Sequence, residues 1–209
     1  MLVATAAATA APAWKLSPTT GEEVSAALSP AASGKVEATP NLLFTTKGGT
    51  KVAISCTSLS TEAAKLEGEG KTSGTLSFGG CQTLLNGTLA KNCEPHSGAS
   101  KGVIKTNALK GLLVPHEGTS LVRIEPASGT LFVTIELSEL CSIGENAPVA
   151  GTFYAKASNG QLEALKVTHL FEQGPLTSIT ALSNAATLDG SASFSLSGAH
   201  AGREWKGAA

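Results

Sequence analysis

Apolar residues in this chain recur at every second position in short runs, and glycine or proline punctuates the runs. A β-strand alternates its side chains between two faces, so this period selects strands over helices. Lys51-Val52-Ala53-Ile54-Ser55-Cys56-Thr57 places Val52, Ile54 and Cys56 on one face, behind the turn signal Gly48-Gly49. Thr75-Leu76-Ser77-Phe78 alternates likewise and stops at Gly79-Gly80. Further strands are read at 102–106 and 109–114, with a short turn at Asn107-Ala108, and at 120–125, which Pro126 ends. Residues 130–137 alternate most clearly, with Leu131, Val133, Ile135 and Leu137 on one face. The pattern continues over 147–155, more weakly over 161–171, and over 178–182, 186–188 and 191–196, where Asp189-Gly190 signals a hairpin. Residues 21–28 and 61–66 are the helix candidates, both too short to be stable alone. The fold class expected is all-β, an antiparallel sandwich or barrel with disulfides and few or no helices.

Four cysteines, Cys56, Cys81, Cys93 and Cys141, are the next constraint. None is spaced as Cys-x-x-Cys, and the nearest Cys/His combination, Cys93-Glu94-Pro95-His96, is stiffened by proline, so disulfides are favoured over zinc. Of the three possible connectivities, Cys81 with Cys93 and Cys56 with Cys141 is preferred, and Cys56 with Cys81 and Cys93 with Cys141 is the runner-up. Disulfides belong outside the cytosol. The opening MLVATAAATAAPA agrees, because Ala11 and Ala13 are small residues where a signal peptidase reads. The basic segment of a signal peptide is missing from it; only Met1 precedes the apolar run. Residues 1–13 are therefore expected to be a signal-peptide remnant and 14–209 one β-rich domain, with a soft boundary near 144–148. The location expected is secreted or cell-surface, with no integral membrane segment in the mature chain.

Composition narrows the function classes. Hydrophobic residues make up 42%, enough for a core, but aromatic residues only 4% and charged residues 15%. A net charge of −1 with no basic stripe argues against nucleic acid as a partner. Trp14 and Trp205, near the two mature ends, either plug the barrel ends or stay exposed as ligand contacts, and plugging is favoured because a buried indole contributes large apolar area.

No convincing catalytic set emerges. Gly98-Ala99-Ser100-Lys101-Gly102 matches G-x-S-x-G, but a nucleophile elbow needs a strand before the serine and a helix after it. Here a loop precedes Ser100 and a strand follows, so a flexible turn is the simpler reading. Glu136 and Glu139 could form a glycosidase pair, although two glutamates near a strand end are usually a solvated face. His96, His116, His169 and His200 have no partner at metal-ligand spacing, and the single aspartate, Asp189, speaks against a calcium loop. No cofactor or metal is implied. Asn86-Gly87-Thr88 fits a glycosylation sequon and marks an exposed loop.

Several stretches together carry a resemblance: Ala13-Trp14-Lys15-Leu16, Val52 to Thr57, Leu76-Ser77-Phe78-Gly79-Gly80-Cys81 and Gly102 to Leu113. Over residues 13–155 the chain resembles a group of uncharacterised secreted proteins of high-GC actinobacteria. That resemblance implies export and no particular activity. The function expected is a secreted, non-enzymatic β-domain, either a structural or self-assembling surface component or a binding module. Its partner would be itself or another cell-surface component. A secreted hydrolase using Ser100 or the glutamate pair is the alternative.

Overall fold

A computed structural model describes residues 11–17, 22–25, 30–116, 119–158, 161–164 and 178–208. Most of the leader, His169 and the strand signals at 165–171 lie outside the described residues. The described chain is all-β, its strand pairs are antiparallel, and a single 3₁₀ turn, Gly198–His200, is its only helical segment.

Eight strands close into a ring. Asn184–Leu196 pairs with Gln161–Ala164, which pairs with Phe153–Ser158, which pairs with Thr119–Pro126. Leu109–His116, Lys71–Gly79, Ser58–Leu66 and Pro30–Thr45 follow in order. Pro30–Thr45 then pairs back onto Asn184–Leu196, which completes a barrel without a free edge. The two long strands, of 16 and 13 residues, run on beyond the barrel and form the centre of a second sheet. On one side of them lie Thr180–Ala181, Asn146–Ala150 and Leu131–Glu136; on the other lie Lys51–Ser55, Gln82–Leu85 and Thr88–Leu89.

Alternation sets the inner face. Val52, Ile54 and Cys56 are buried, as are Val133, Ile135 and Leu137. Phe132 is buried too, because the register shifts between Leu131 and Val133 and turns two neighbours inward. A third sheet, Glu204–Ala208, Ala13–Ser17 and Glu22–Glu23, covers the end of the barrel that carries Lys71, Leu113 and Ser120. Trp14 and Trp205 are its plugs. Both are buried, their rings meet edge to face at 5.5 Å, and their indole N–H groups donate to Lys71 O and Phe194 O.

Five expectations need correction. The disulfides are Cys56–Cys81 and Cys93–Cys141, not Cys81–Cys93 and Cys56–Cys141. Ser58 pairs with Gly79, so Cys56 and Cys81 emerge side by side from adjoining strands, with Cα atoms 3.9 Å apart. Cys93 lies instead in the turn that Ser138 grips through a hydrogen bond to Asn92 O. Residues 61–66 are strand, not helix, because pairing with Lys71–Gly79 overrides local propensity. Of 21–28, Glu22–Glu23 is strand and only 22–25 lie within the described residues. Asp189-Gly190 is no hairpin: the strand runs straight through it with a bulge opposite Pro40. Asn107-Ala108 does not reverse the chain either, since Ile104–Lys105 and Leu109–His116 both pair with the same strand, Lys71–Gly79.

Candidate functional site

The barrel is not filled. Its inward positions mix rings with very small residues. Phe78, Phe153, Phe194 and Trp205 form walls, while Gly74, Gly111, Ala155 and Ala192 leave the space between them empty. A chamber of about 130 Å³ results. Two of the glycines are also required by close approach: a Cβ on Gly111 would lie 2.5 Å from Thr72 Cγ2, and one on Gly74 would lie 2.8 Å from Ala64 Cα. A bulge near Ala63, at φ 49°, sets the lining on its strand. Before it Leu59 and Thr61 face inward; after it Ala64 and Leu66 do. The extra residue moves the inward set from odd to even positions.

Where the two long strands leave the barrel, a second apolar chamber of about 70 Å³ lies under the second sheet, against Ile54, Ile104, Phe132, Val149 and Ile179. Pro40, Leu76, Phe78, Leu109, Phe153 and Leu188 line both and stand between them.

Several of the hydroxyls along the lining are already engaged by the protein. Thr106 Oγ1 accepts from Leu76 N–H, Thr72 Oγ1 donates to Lys65 O, and Ser73 Oγ donates to Glu67. Thr83 Oγ1 and Arg123 Nε, which are buried with no hydrogen bond among the described residues, line neither chamber. Of the residues around the larger chamber, Lys110 is exposed on the outer face of its strand, and Asp189 and Ser191 are half-buried.

The polar candidates fall elsewhere and do not converge. Ser100 is exposed in a bend ahead of the two-residue strand Ile104–Lys105, so the strand–turn–helix setting of an elbow is absent at this serine. Glu136 closes its strand with one carboxylate oxygen accepting from Gly98 N–H and the other 3.8 Å from His96 Nδ1. Glu139 stands exposed in the following turn. The pair His96–Glu136 is tied to backbone: His96 and Glu136 exchange both main-chain hydrogen bonds, and His96 Nδ1 sits 2.9 Å from Gly98 O. That pattern staples a loop to a strand end. Among the described residues no three His, Cys, Asp or Glu side chains gather as a metal site. Asn86 turns a two-residue hairpin at φ 51°, and its side-chain oxygen accepts from Lys51 N–H. Among the described residues no helix is long and apolar enough to cross a membrane.

Sequence reasoning missed the chambers altogether. Their only trace in the sequence is the scarcity of aromatic residues in a chain with ample aliphatic ones. No family model, curated protein or solved structure matches the chain.

Proposed function

We propose that this chain is an exported, non-enzymatic binding domain whose barrel takes up a small apolar molecule. The observation that carries the reading is the unfilled, apolar interior of a closed eight-stranded ring. Barrels of eight strands are of a size either to be filled by side chains or to hold one small ligand. An apolar cavity of similar size stays dry and binds benzene or xenon in another protein. Two buried disulfides support an oxidising compartment.

The edges favour binding over strand-to-strand polymerisation. The barrel has none, and the second sheet ends on Thr88–Leu89, only two residues long. Its other margin, Leu131–Glu136, is occupied by Asn107 at Leu131 and Phe132 and by His96 at Glu136. Short and covered edges resist addition of another chain.

The test is a titration of ¹⁵N-labelled protein with benzene, followed by amide shifts. Saturable shifts at Gly74, Ala155, Ala192 and Phe194, with Lys47 and Gly48 unmoved, are expected. The absence of any saturable shift at the chamber lining would overturn the proposal.

A further inference from the structure

We infer that the preferred ligand is an unbranched hydrocarbon chain that spans and fills both chambers. This rests on the binding reading above and goes beyond it by naming the ligand's shape and chemistry. The larger chamber alone suits a compact molecule of about benzene's size, since about 150 Å³ holds one benzene elsewhere. The smaller, about 70 Å³, has no room for such a ring. A ring therefore leaves the apolar surface of the smaller chamber unused. A flexible chain lying past Phe78, Phe153 and Leu188 uses it all, because these side chains face both spaces.

The lining also selects against polar substitution along the chain. Thr106, whose hydroxyl accepts from the Leu76 amide, is the one hydroxyl lining the smaller chamber, and the other side chains there are hydrocarbon or disulfide, so a polar group elsewhere along the ligand would be buried without a partner. A polar end group is best placed in the larger chamber, beside the half-buried Asp189 and Ser191 on Asn184–Leu196.

Trp205 lines the larger chamber, so its fluorescence reports filling. Straight-chain primary alcohols from butanol to decanol are titrated against the full chain, with benzene as the compact comparison. Affinity should rise roughly fourfold per added methylene, the fold-change equivalent to about 0.8 kcal/mol per buried methylene, and then level off. Ile104→Phe, which fills only the smaller chamber, should move the levelling-off to shorter chains; Val149→Leu makes the same test with a smaller insertion, should the first fail to fold. A parallel arm with phosphatidylcholine vesicles distinguishes the two sources of such a chain. Saturation by vesicles names a bilayer lipid; saturation by free alcohols alone names a single-chain amphiphile. Benzene binding without dependence on chain length would overturn this inference and leave the binding reading standing. If neither benzene nor any alcohol binds, both fall.

Discussion

Thr83 carries a hydroxyl into a fully buried position where no partner among the described residues receives it. A buried polar group without a hydrogen bond costs about 1–3 kcal/mol. Thr83→Val keeps the shape and removes the hydroxyl, so urea denaturation should show a gain of about 1 kcal/mol; a loss would mean that the hydroxyl is satisfied. Gly151 lies at the opposite extreme. It adopts φ 114°, and a Cβ there would come within 2.1 Å of Ser178 O, a backbone atom. Gly151→Ala should cost about 2 kcal/mol or more, within the range for backbone strain, and lower the melting temperature accordingly. Titration is a minor force here. The Lys71 ammonium, hydrogen-bonded to Glu69, holds the Glu69 carboxyl below its usual value and is itself raised, and both side chains are exposed. The glutamate contribution is present above its unfolded pKa and lost as pH falls through the lowered one. The lysine contribution is complete below its unfolded pKa and lost as pH rises through the raised one. Stability from this pair is therefore level around neutrality and screened by salt. Residue burial was the most legible level: Val52, Ile54 and Cys56 follow from a period of two that needs no knowledge of partners.

Elements are where local signals mislead. Asp-Gly is a strong hairpin signal, yet here Asp189 pairs with Asn41 and Ser191 with Ala38 in one continuous strand. Gly190 serves another need at that point. Its φ is 130°, and a Cβ would lie 2.7 Å from Pro40 Cα, so it lets two long strands cross from the barrel to the second sheet in contact. The chain actually reverses at Leu182 and Ser183, whose φ values of 50° and 60° are those of a tight hairpin turn, at residues with no glycine to announce them. The 61–66 segment failed for a related reason: its helix-forming Glu, Ala and Lys are overridden by pairing with Lys71–Gly79. Disulfide pairing was likewise illegible, since it depends on which strands adjoin. The covalent links nonetheless act at this scale. Cys93–Cys141 joins turns 48 residues apart, and Cys56–Cys81 strand ends 25 apart. Chain-entropy arithmetic assigns about 4 and about 3.5 kcal/mol to them. Replacing Cys93 and Cys141 together by serine should therefore destabilise the fold at least as much as replacing Cys56 and Cys81. Denaturation of the two double variants under identical conditions decides it, and a clearly smaller loss for the longer loop would reject the entropic account.

For the whole molecule, ring closure matters most. Asn184–Leu196 meets Pro30–Thr45 from the other end of the chain, a contact that no local pattern predicts. Closure gathers Gly74, Gly111, Ala155 and Ala192 around one space, and their small size then becomes a volume. The outer surface of the barrel carries Glu62, Lys65, Lys110, Arg123, Glu125 and Lys156, with Lys110 and Arg123 within ion-pair distance of Glu125. Charge outside and hydrocarbon inside is the reverse of a lipid-facing barrel. The alternation made an all-β fold legible; the hollow was not, because it depends on register among strands distant in sequence. The most direct test of the account is a crystal of the protein pressurised with xenon. The account predicts a xenon atom inside the ring, between Phe153, Phe194 and Trp205. A barrel packed solid with side chains, with no xenon in its interior, would contradict it.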